Sequence, residues 1–292
     1  MIELGEHRYG KSKIRLVKIV RDGAAHAVRD LTIEVTLEGA FGRAYTDGDN
    51  SAVVATDTMK NTVYAFAKDR LTGSVEDFAI VLGEHLRGLP SVERAIIDLR
   101  EHHWTRLRPG ENAFRRDGSM LRTASVATGA DGSVVRAGVE DLVLMKTARS
   151  SFSGFPRDRY TTLRETDDRI MATRLAGDWR YRDARIDHEA TFTAVIETLV
   201  DAFAEHESRS VQETIWIVGR AILERHEAVD EVHLSLPNLH HWLVDLTPFG
   251  LENEDEIFVA TNEPFGSIEA TVRRASQATS SIGSRGVRGV TG

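Results

Sequence analysis

The chain has 292 residues, a formal net charge of −8 and no cysteine. The negative charge disfavours a nucleic acid as the main partner, and the lack of cysteine excludes disulfides, thiolate catalysis and cysteine-ligated metal sites. Because it has neither a signal-peptide core nor a run of roughly 20 apolar residues, we expect a soluble, cytoplasmic protein that does not insert into a membrane.

The first half of the chain carries strand patterns on either side of a helix pair. Residues 11–20 and 28–37 alternate between apolar and polar side chains, which predicts two strands joined by a turn at Asp22-Gly23. A loop is expected at 38–50. The other predicted elements are a helix from about 56 to 68, a helix that begins after Ser74, and strands at 92–107 and within 113–127.

The second half repeats this order of elements. They are a strand at 142–147, a loop at 152–160, a strand at 169–175 and 179–182 for which a helix is the alternative, helices at 191–207 and from 210 to about 226, and strands at 232–246 and 268–272. Ser210 and Glu213 have the spacing of a capping box. Residues 276–292 are rich in serine, glycine and threonine, and we expect them to be disordered.

Two short motifs occur once in each half. His102-His103-Trp104 is echoed by His240-His241-Trp242, and the segment from Ser74 to Asp77 is echoed by the segment from Ser210 to Glu213. The separations are 138 and 136 residues, so the register is kept apart from a two-residue insertion. A period of this length indicates a duplicated domain rather than a solenoid.

The duplication predicts an α+β fold built from two similar domains, at residues 1–135 and 136–275. In each domain, two antiparallel hairpins would form a four-stranded sheet with the helix pair on one face. Exposed sheet edges must be paired or covered. We therefore expect the sheets to join edge to edge and to continue between subunits into a closed barrel, which makes the protein a homo-oligomer.

Two polar side chains stand on a strand face that is otherwise apolar. Asn238 and His240 share one parity with Val232, Leu234 and Trp242, and residues of one parity point to the same side of a strand. Polar groups on a face built for burial need hydrogen-bond partners. The partner is either another group of the protein, which is the commoner case, or a ligand.

The histidines of the repeated motif suggest a metal site as one interpretation. Adjacent residues on a strand point to opposite faces, so neither His102-His103 nor His240-His241 can chelate a metal from one side. The sequence also contains no His-Glu-x-x-His motif. We therefore expect no metal.

The start of the helix at Ser210 is a second candidate site. The backbone N–H groups of Val211 and Gln212 have no partner inside the helix, and they favour an anion. The side-chain amide of Gln212 can pair with a planar donor–acceptor edge. A capped helix start with no ligand is the simpler interpretation.

Three other residues stand out, and two of them are open to two interpretations. Arg169 follows two acidic residues, so it is either a member of a surface ion pair or an anion clamp. Phe152 either packs in a loop or stacks on a planar ligand. Lys11 is most simply a solvated lysine on a strand.

Several fragments, taken together in chain order, carry a more specific signal. They are Arg8-Tyr9-Gly10-Lys11, Asp49-Asn50-Ser51, the run from Val54 to Thr62, Phe152 to Phe155, Arg157-Asp158, Tyr160 to Leu163, Glu165 to Ile170, Ser210-Val211-Gln212, and Ser235 to His240. They run from about residue 8 to about residue 273, and they resemble urate oxidase (uricase). The resemblance implies the tunnelling fold (T-fold), a tandem strand-strand-helix-helix-strand-strand unit, in a homotetramer with active sites between subunits.

The resemblance also implies which residues hold the substrate. Arg169 and Gln212 would grip the urate anion from two sides, with help from the backbone N–H of Val211. Phe152 would stack on the purine face, and Leu163 would line the pocket.

Proton transfer and oxygen placement would involve a neighbouring subunit, which the resemblance implies as the source of Lys11, Thr56 and Asp57. Lys11 and Thr56 would form the proton-abstracting pair. Asn238 and Thr56 would hold the water or oxygen species above the ring, and His240 would join Lys11 in the proton relay.

The chemistry that the resemblance implies is oxidation of urate by O₂ and water to 5-hydroxyisourate and hydrogen peroxide. No metal or flavin cofactor takes part, since the deprotonated purine itself supplies the electrons. An arginine fork and an amide suit anion binding, and a lysine can act as a base when burial or a nearby cation lowers its pKa.

The chain departs from the family pattern at two positions. Eukaryotic members carry lysine between the asparagine and the histidine, and an aromatic residue after the histidine; here Leu239 and His241 stand there. Strand alternation should turn both away from Asn238 and His240, so we expect a small effect on the chemistry.

Two other functions compete with this one. The first is another tunnelling-fold enzyme, a pterin-forming cyclohydrolase or synthase, although those generally need a metal-bound histidine cluster or a catalytic cysteine. The second is a purine-binding protein without catalysis, which would bind xanthine and release no peroxide.

Overall fold

The computed structural model describes residues 1–23, 25–108 and 112–275. The segment 276–292 lies outside the described residues, so its expected disorder stays a prediction. No helix in the described part of the chain is long and apolar enough to cross a membrane.

Ten strands and five helices make up this part of the chain. The strands are β1 Tyr9–Asp22, β2 Ala25–Gly39, β3 Val92–Arg106, β4 Phe114–Gly129, β5 Gly132–Lys146, β6 Met171–Tyr181, β7 Val229–Ser235, β8 Asn238–Leu243, β9 Phe258–Gly266 and β10 Glu269–Arg273. The helices are α1 Gly42–Thr46, α2 Thr56–Arg70, α3 Val75–Arg87, α4 His188–Glu205 and α5 Val211–Arg225.

The strands form one antiparallel sheet in the order β1-β2-β3-β4-β5-β6-β7-β10. Strand β8 pairs with β6 through two residues only and continues with β9 as a two-stranded ribbon. The expected α+β class with an antiparallel sheet is therefore confirmed. The first four strands of the path, β1 to β4, end at Gly129, and the last four, which begin at Gly132, follow them in the chain.

One face of the sheet is buried along its whole width. A row of apolar side chains crosses the eight strands in register, one from each strand, and none is more than 6% exposed. The row consists of Ile14, Ile33, Leu99, Ala124, Ala137, Trp179, Val232 and Val272. Helices α2, α3, α4 and α5 pack against strands of this sheet. The row belongs to a larger buried core, and burial of such apolar surface is the main favourable contribution to folding.

The other face of the sheet is charged. The Nε of Arg100 donates to Glu140 at 2.9 Å, and an Nη of Arg136 donates to Glu231 at 2.8 Å. Alternation along each strand separates these residues from the apolar row.

Several boundaries differ from the sequence-based prediction. The strand expected at 232–246 is broken at Leu236-Pro237 into β7 and β8, because proline has no N–H to donate to a ladder. The loop expected at 38–50 contains the short helix α1, and strand β9 was not predicted. Strand β5 begins at Gly132, ten residues before the prediction, so the expected division between residues 135 and 136 falls inside a strand.

Candidate active site

A cleft of about 540 Å³ opens where α5 begins, beside β8 and the approach to β6. Seven of the ten residues predicted for the site line it, namely Phe152, Leu163, Arg169, Val211, Gln212, Asn238 and His240. They come from a loop, a helix terminus and a strand that are far apart in the sequence. The fold therefore brings together seven residues that the sequence had singled out as candidates.

Arg169 is one of two arginines that line the cleft, and the other is Arg164. Its Nε is buried and has no hydrogen-bond partner among the described residues, where the guanidinium also forms no ion pair. Burial lowers the pKa of Arg169, although a guanidinium remains charged at neutral pH. The surface ion pair with the preceding acids is thus not formed within the described ranges, and a half-buried guanidinium without such a partner suits an anion.

The Phe152 ring lies against this guanidinium. The Cζ of Arg169 is 5.1 Å from the ring centroid, which is within the range of a cation–π contact. Two backbone hydrogen bonds fix the loop, since Phe152 donates to the carbonyl of Thr166 at 2.8 Å and accepts from its N–H at 3.1 Å. The Phe152 ring also stacks on Phe155 at a centroid distance of 5.0 Å.

Helix α5 turns its N-terminus to the cleft. The hydroxyl of Ser210 accepts from the N–H of Glu213 at 3.1 Å, as the predicted cap requires. The Glu213 carboxylate accepts from the N–H of Arg209 at 2.8 Å rather than from Ser210, so the capping box is shifted by one residue. The N–H groups of Val211 and Gln212 are left for a ligand.

Strand β8 forms the opposite wall. Its first residue, Asn238, pairs with Thr173 of β6 and with Gly266 of β9. The His240 ring stacks on Trp242 at a centroid distance of 5.2 Å and an angle of 26°. Trp242 also lines the cleft and was missed as a site residue, although strand parity already grouped it with Asn238 and His240.

Leu239 and His241 also line the cleft. The Nδ1 of His241 lies 3.3 Å from the carbonyl oxygen of Leu239. The expectation that both residues turn away from the site is therefore not met. Residues of both parities of β8 therefore border the cleft.

Lys11, Thr56 and Asp57 do not line this cleft. Lys11 pairs with Val35 in the β1–β2 ladder, and Thr56 is the first residue of α2. The pKa of Asp57 is lowered, chiefly by the hydrogen bond and charge of Lys60 and further by the charge of Lys11. The three residues thus form a second cluster beside β1, which is five strands away from β6 across the sheet.

A hydrogen-bonded tyrosine holds this second cluster together. The hydroxyl of Tyr9 donates to the carbonyl of Val54 at 3.1 Å and accepts from its N–H at 2.8 Å. The strand that carries Lys11 is thereby fixed to the segment that leads into Thr56.

Within residues 1–23, 25–108 and 112–275, no group of three or more His, Asp or Glu side chains could hold a metal ion. The repeated histidines belong to different surroundings in the two halves. His102 contacts Thr32 at 2.9 Å and Arg116 at 2.7 Å, so both of its ring nitrogens are engaged by the protein.

Known proteins have sequences similar to that of this chain. The uricase family model matches residues 7–127 and 135–269, which include all ten predicted site residues. The chain belongs to the uricase family. It is 44% identical to the uricase of Arthrobacter globiformis over 94% of this chain and 90% of that protein, and 38% identical to the uricase of Dictyostelium discoideum over 94% and 99%.

Solved uricase structures have the same fold. The crystal structure of the Arthrobacter globiformis uricase covers 95% of this chain and 97% of its own, with a TM-score of 0.91. A uricase from Bacillus fastidious has a TM-score of 0.78 at 24% identity, over 91% of this chain and 93% of its own, and it supports the fold alone. Family membership, as the sequence fragments predicted, is confirmed.

Proposed function

We propose that this protein is a cofactor-independent urate oxidase. Urate, O₂ and water react to give 5-hydroxyisourate and hydrogen peroxide. The purine loses two electrons to O₂, which leaves as peroxide, and the oxygen of water adds to C5 of the ring. The observation that carries the proposal is the unpaired Arg169 against the Phe152 ring, in one cleft with the start of α5 and with Asn238 and His240.

The residues of this cleft suit a planar anion. The Arg169 fork and the Gln212 amide would bind opposite edges of urate, and the Val211 N–H would add a third donor. The Phe152 face and Leu163 would enclose the ring, because aromatic faces stack on flat heterocycles. Anion binding by buried donors would stabilise the deprotonated purine that reacts with oxygen.

Proton removal and oxygen placement would use groups on both sides of the ring. Lys11 would take the substrate proton with Thr56 as its partner, and His240 would carry protons to and from Lys11. Asn238 and Thr56 would hold the oxygen or water by neutral hydrogen bonds, and Asp57 would complete the pocket wall.

We place Lys11, Thr56 and Asp57 of one subunit at the cleft of its neighbour. In the described part of the chain, β1 pairs only with β2 and β10 only with β7, so both ends of the sheet are free edges. Free edges favour pairing with another copy. Joining β1 of one copy to β10 of a second would bring Lys11 towards the cleft, where Ile268 lies just before β10.

The same pairing gives the proposed assembly. Two curved sheets would close into a barrel of tandem T-fold units, which divide at the turn between β4 and β5. On β1, Val17 is 58% exposed, and on the β8–β9 ribbon Val259 is 52% exposed. These apolar side chains support further contacts between copies, as in a homotetramer, since exposed apolar patches mark interaction sites. A cytoplasmic location completes the proposal.

The test is urate absorbance near 293 nm (a substrate property), followed in parallel with peroxide, using protein treated with EDTA. Loss of urate with an equal amount of peroxide supports the proposal. Turnover that needs added metal would instead favour a metal-dependent cyclohydrolase or synthase of the same fold. Xanthine binding with no turnover under either condition would leave a purine-binding protein.

A further inference from the structure

Asp168 holds together the two segments that carry Arg169 and Phe152. Its Oδ1 accepts from the N–H of Arg169 at 3.0 Å and from the N–H of Ser150 at 3.1 Å. The hydroxyl of Thr166 donates to the Asp168 carbonyl at 2.6 Å, which fixes the backbone of the same turn. One carboxylate oxygen thus joins the start of the Phe152 loop to the residue that supplies the guanidinium.

The loop is joined in turn to the start of α5. Ser150 and Ser208 form a parallel bridge and are both fully buried. The N–H of Ser151 donates to the Ser208 carbonyl at 2.8 Å, and the N–H of Ser208 donates to the Arg149 carbonyl at 3.0 Å. The Ser208 hydroxyl donates to the carbonyl of Ser210, the residue that caps α5, at 3.1 Å. Three substrate-holding segments therefore share one hydrogen-bonded frame.

We propose that Asp168 is a positioning residue that sets Arg169 and Phe152 in register with the α5 N-terminus for binding of a purine anion. The proposal rests on the proposed function. Asp168 itself does not line the cleft, so it acts through the backbone of its neighbours. Removal of its acceptor frees two N–H groups and lets the Arg169 backbone move relative to the loop.

The sign of the effect separates positioning from simple charge. A carboxylate next to Arg169 opposes an incoming anion, so its removal should strengthen anion binding if charge alone mattered. Loss of position should weaken anion binding, because the guanidinium and the ring would no longer meet the ligand together. Asp168→Ala combines both effects, whereas Asp168→Asn removes the charge but keeps an acceptor oxygen.

Asp167 offers a matched control. It is the adjacent carboxylate, it is exposed, and it forms no hydrogen bond or ion pair within the described ranges. Asp167→Ala therefore removes the same charge from nearly the same place without touching the frame.

The experiment measures the Kd of xanthine for the full-length protein and the three variants. We expect Asp168→Ala to raise the Kd about tenfold or more, since two hydrogen bonds to a charged acceptor are lost. Asp168→Asn and Asp167→Ala should bind as tightly as the wild type or more tightly. Amide exchange should speed up at Ser150 and Arg169 in Asp168→Ala and stay slow in Asp168→Asn.

Two outcomes overturn the inference and are distinct from each other. In the first outcome, the wild type oxidises urate, but Asp168→Ala binds xanthine as tightly as the wild type does, or Asp167→Ala weakens binding as much as Asp168→Ala does. Asp168 is then not a positioning residue, and the proposed function stands. A wild type that neither oxidises urate nor binds xanthine overturns the proposed function, and with it the role of Asp168 in this reaction.

Discussion

The Cζ of Arg169 lies 5.1 Å from the centroid of the Phe152 ring, and the Nε of the same guanidinium is buried without a hydrogen-bond partner among the described residues. The ring face gives the desolvated cation one favourable contact while its donors stay unused. Burial of these donors without partners costs free energy, and hydrogen bonds to an anionic ligand would offset that cost. The contact between Arg169 and Phe152 in the free protein therefore leaves the guanidinium donors available for a ligand.

Replacement of Arg169 tests the anion clamp. We expect Arg169→Ala to weaken xanthine binding by about 3 kcal/mol, or roughly 100-fold, because charge-assisted hydrogen bonds to the ligand are lost. Calorimetric titration measures the change. Arg164→Ala is the control, since Arg164 lines the same cleft and its removal tests for a general charge effect. Equal losses in the two variants would remove the specific role of Arg169.

Lys11 is tested by separating binding from turnover. We expect Lys11→Met to reduce kcat by a factor of about 10² to 10⁴, since a general base acts mainly in the transition state, with xanthine affinity nearly unchanged. Lys13→Met, at a neighbouring exposed lysine of β1, should leave kcat within about twofold. Parallel losses of kcat and affinity in Lys11→Met would count against Lys11 as the base.

Three half-buried histidines predict how stability changes with pH. Burial lowers the pKa of His102, His206 and His226 below the usual ~6.5 of the unfolded chain. Just below that pH, the unfolded state binds more protons than the folded state does. The contribution of these histidines to the free energy of unfolding is therefore fully present above about pH 6.5, and it is lost as pH falls through the folded-state pKa values. We expect the Tm to fall between about pH 7.5 and pH 5.5.

The contribution of one histidine can be isolated. His206 contacts the Ala202 carbonyl at 2.7 Å and the Thr214 hydroxyl at 3.0 Å, beneath the first turn of α5. The His206→Gln variant has no titrating imidazole there, so its Tm should fall less steeply than that of the wild type over the same range. Parallel Tm curves for the two proteins would show that His206 does not contribute.

Much of the fold followed from the sequence, for identifiable reasons. Strand alternation and helix caps such as Ser74 and Ser210 are local signals, and the repeated motifs gave the duplicated order of elements. The break at Pro237 was overlooked because residue parity continues across it, although proline is a known interruption of a strand. Strand β9 has no clear alternation and forms only through pairing with β8.

The site was predictable to a similar extent. The seven residues in the cleft all lie in fragments that matched the family. Asp168 lies in one of these fragments too, but its role was not predicted, because that role depends on contact with Ser150 across a loop. The prediction that Leu239 and His241 turn away from the site rested on strand alternation alone. It failed because which residues of β8 border the cleft depends on tertiary packing, which alternation does not report.

The proposed function requires Lys11 of one chain to act in the cleft of another. Co-expression of Lys11→Met and Arg169→Ala chains, each inactive alone, tests it directly through urate oxidation. If each site takes Lys11 and Arg169 from different chains, random pairing of the two chains leaves about one quarter of the sites fully wild type.

We therefore predict recovery of about a quarter of the wild-type rate in the mixed preparation. The matched control pairs Arg169→Ala with Asn238→Ala, because both residues line the cleft of the same chain and each mixed site still carries one lesion. This pair should recover no activity. A mixture of Lys11→Met and Arg169→Ala chains that stays inactive, although mixed oligomers have formed, would contradict the shared site.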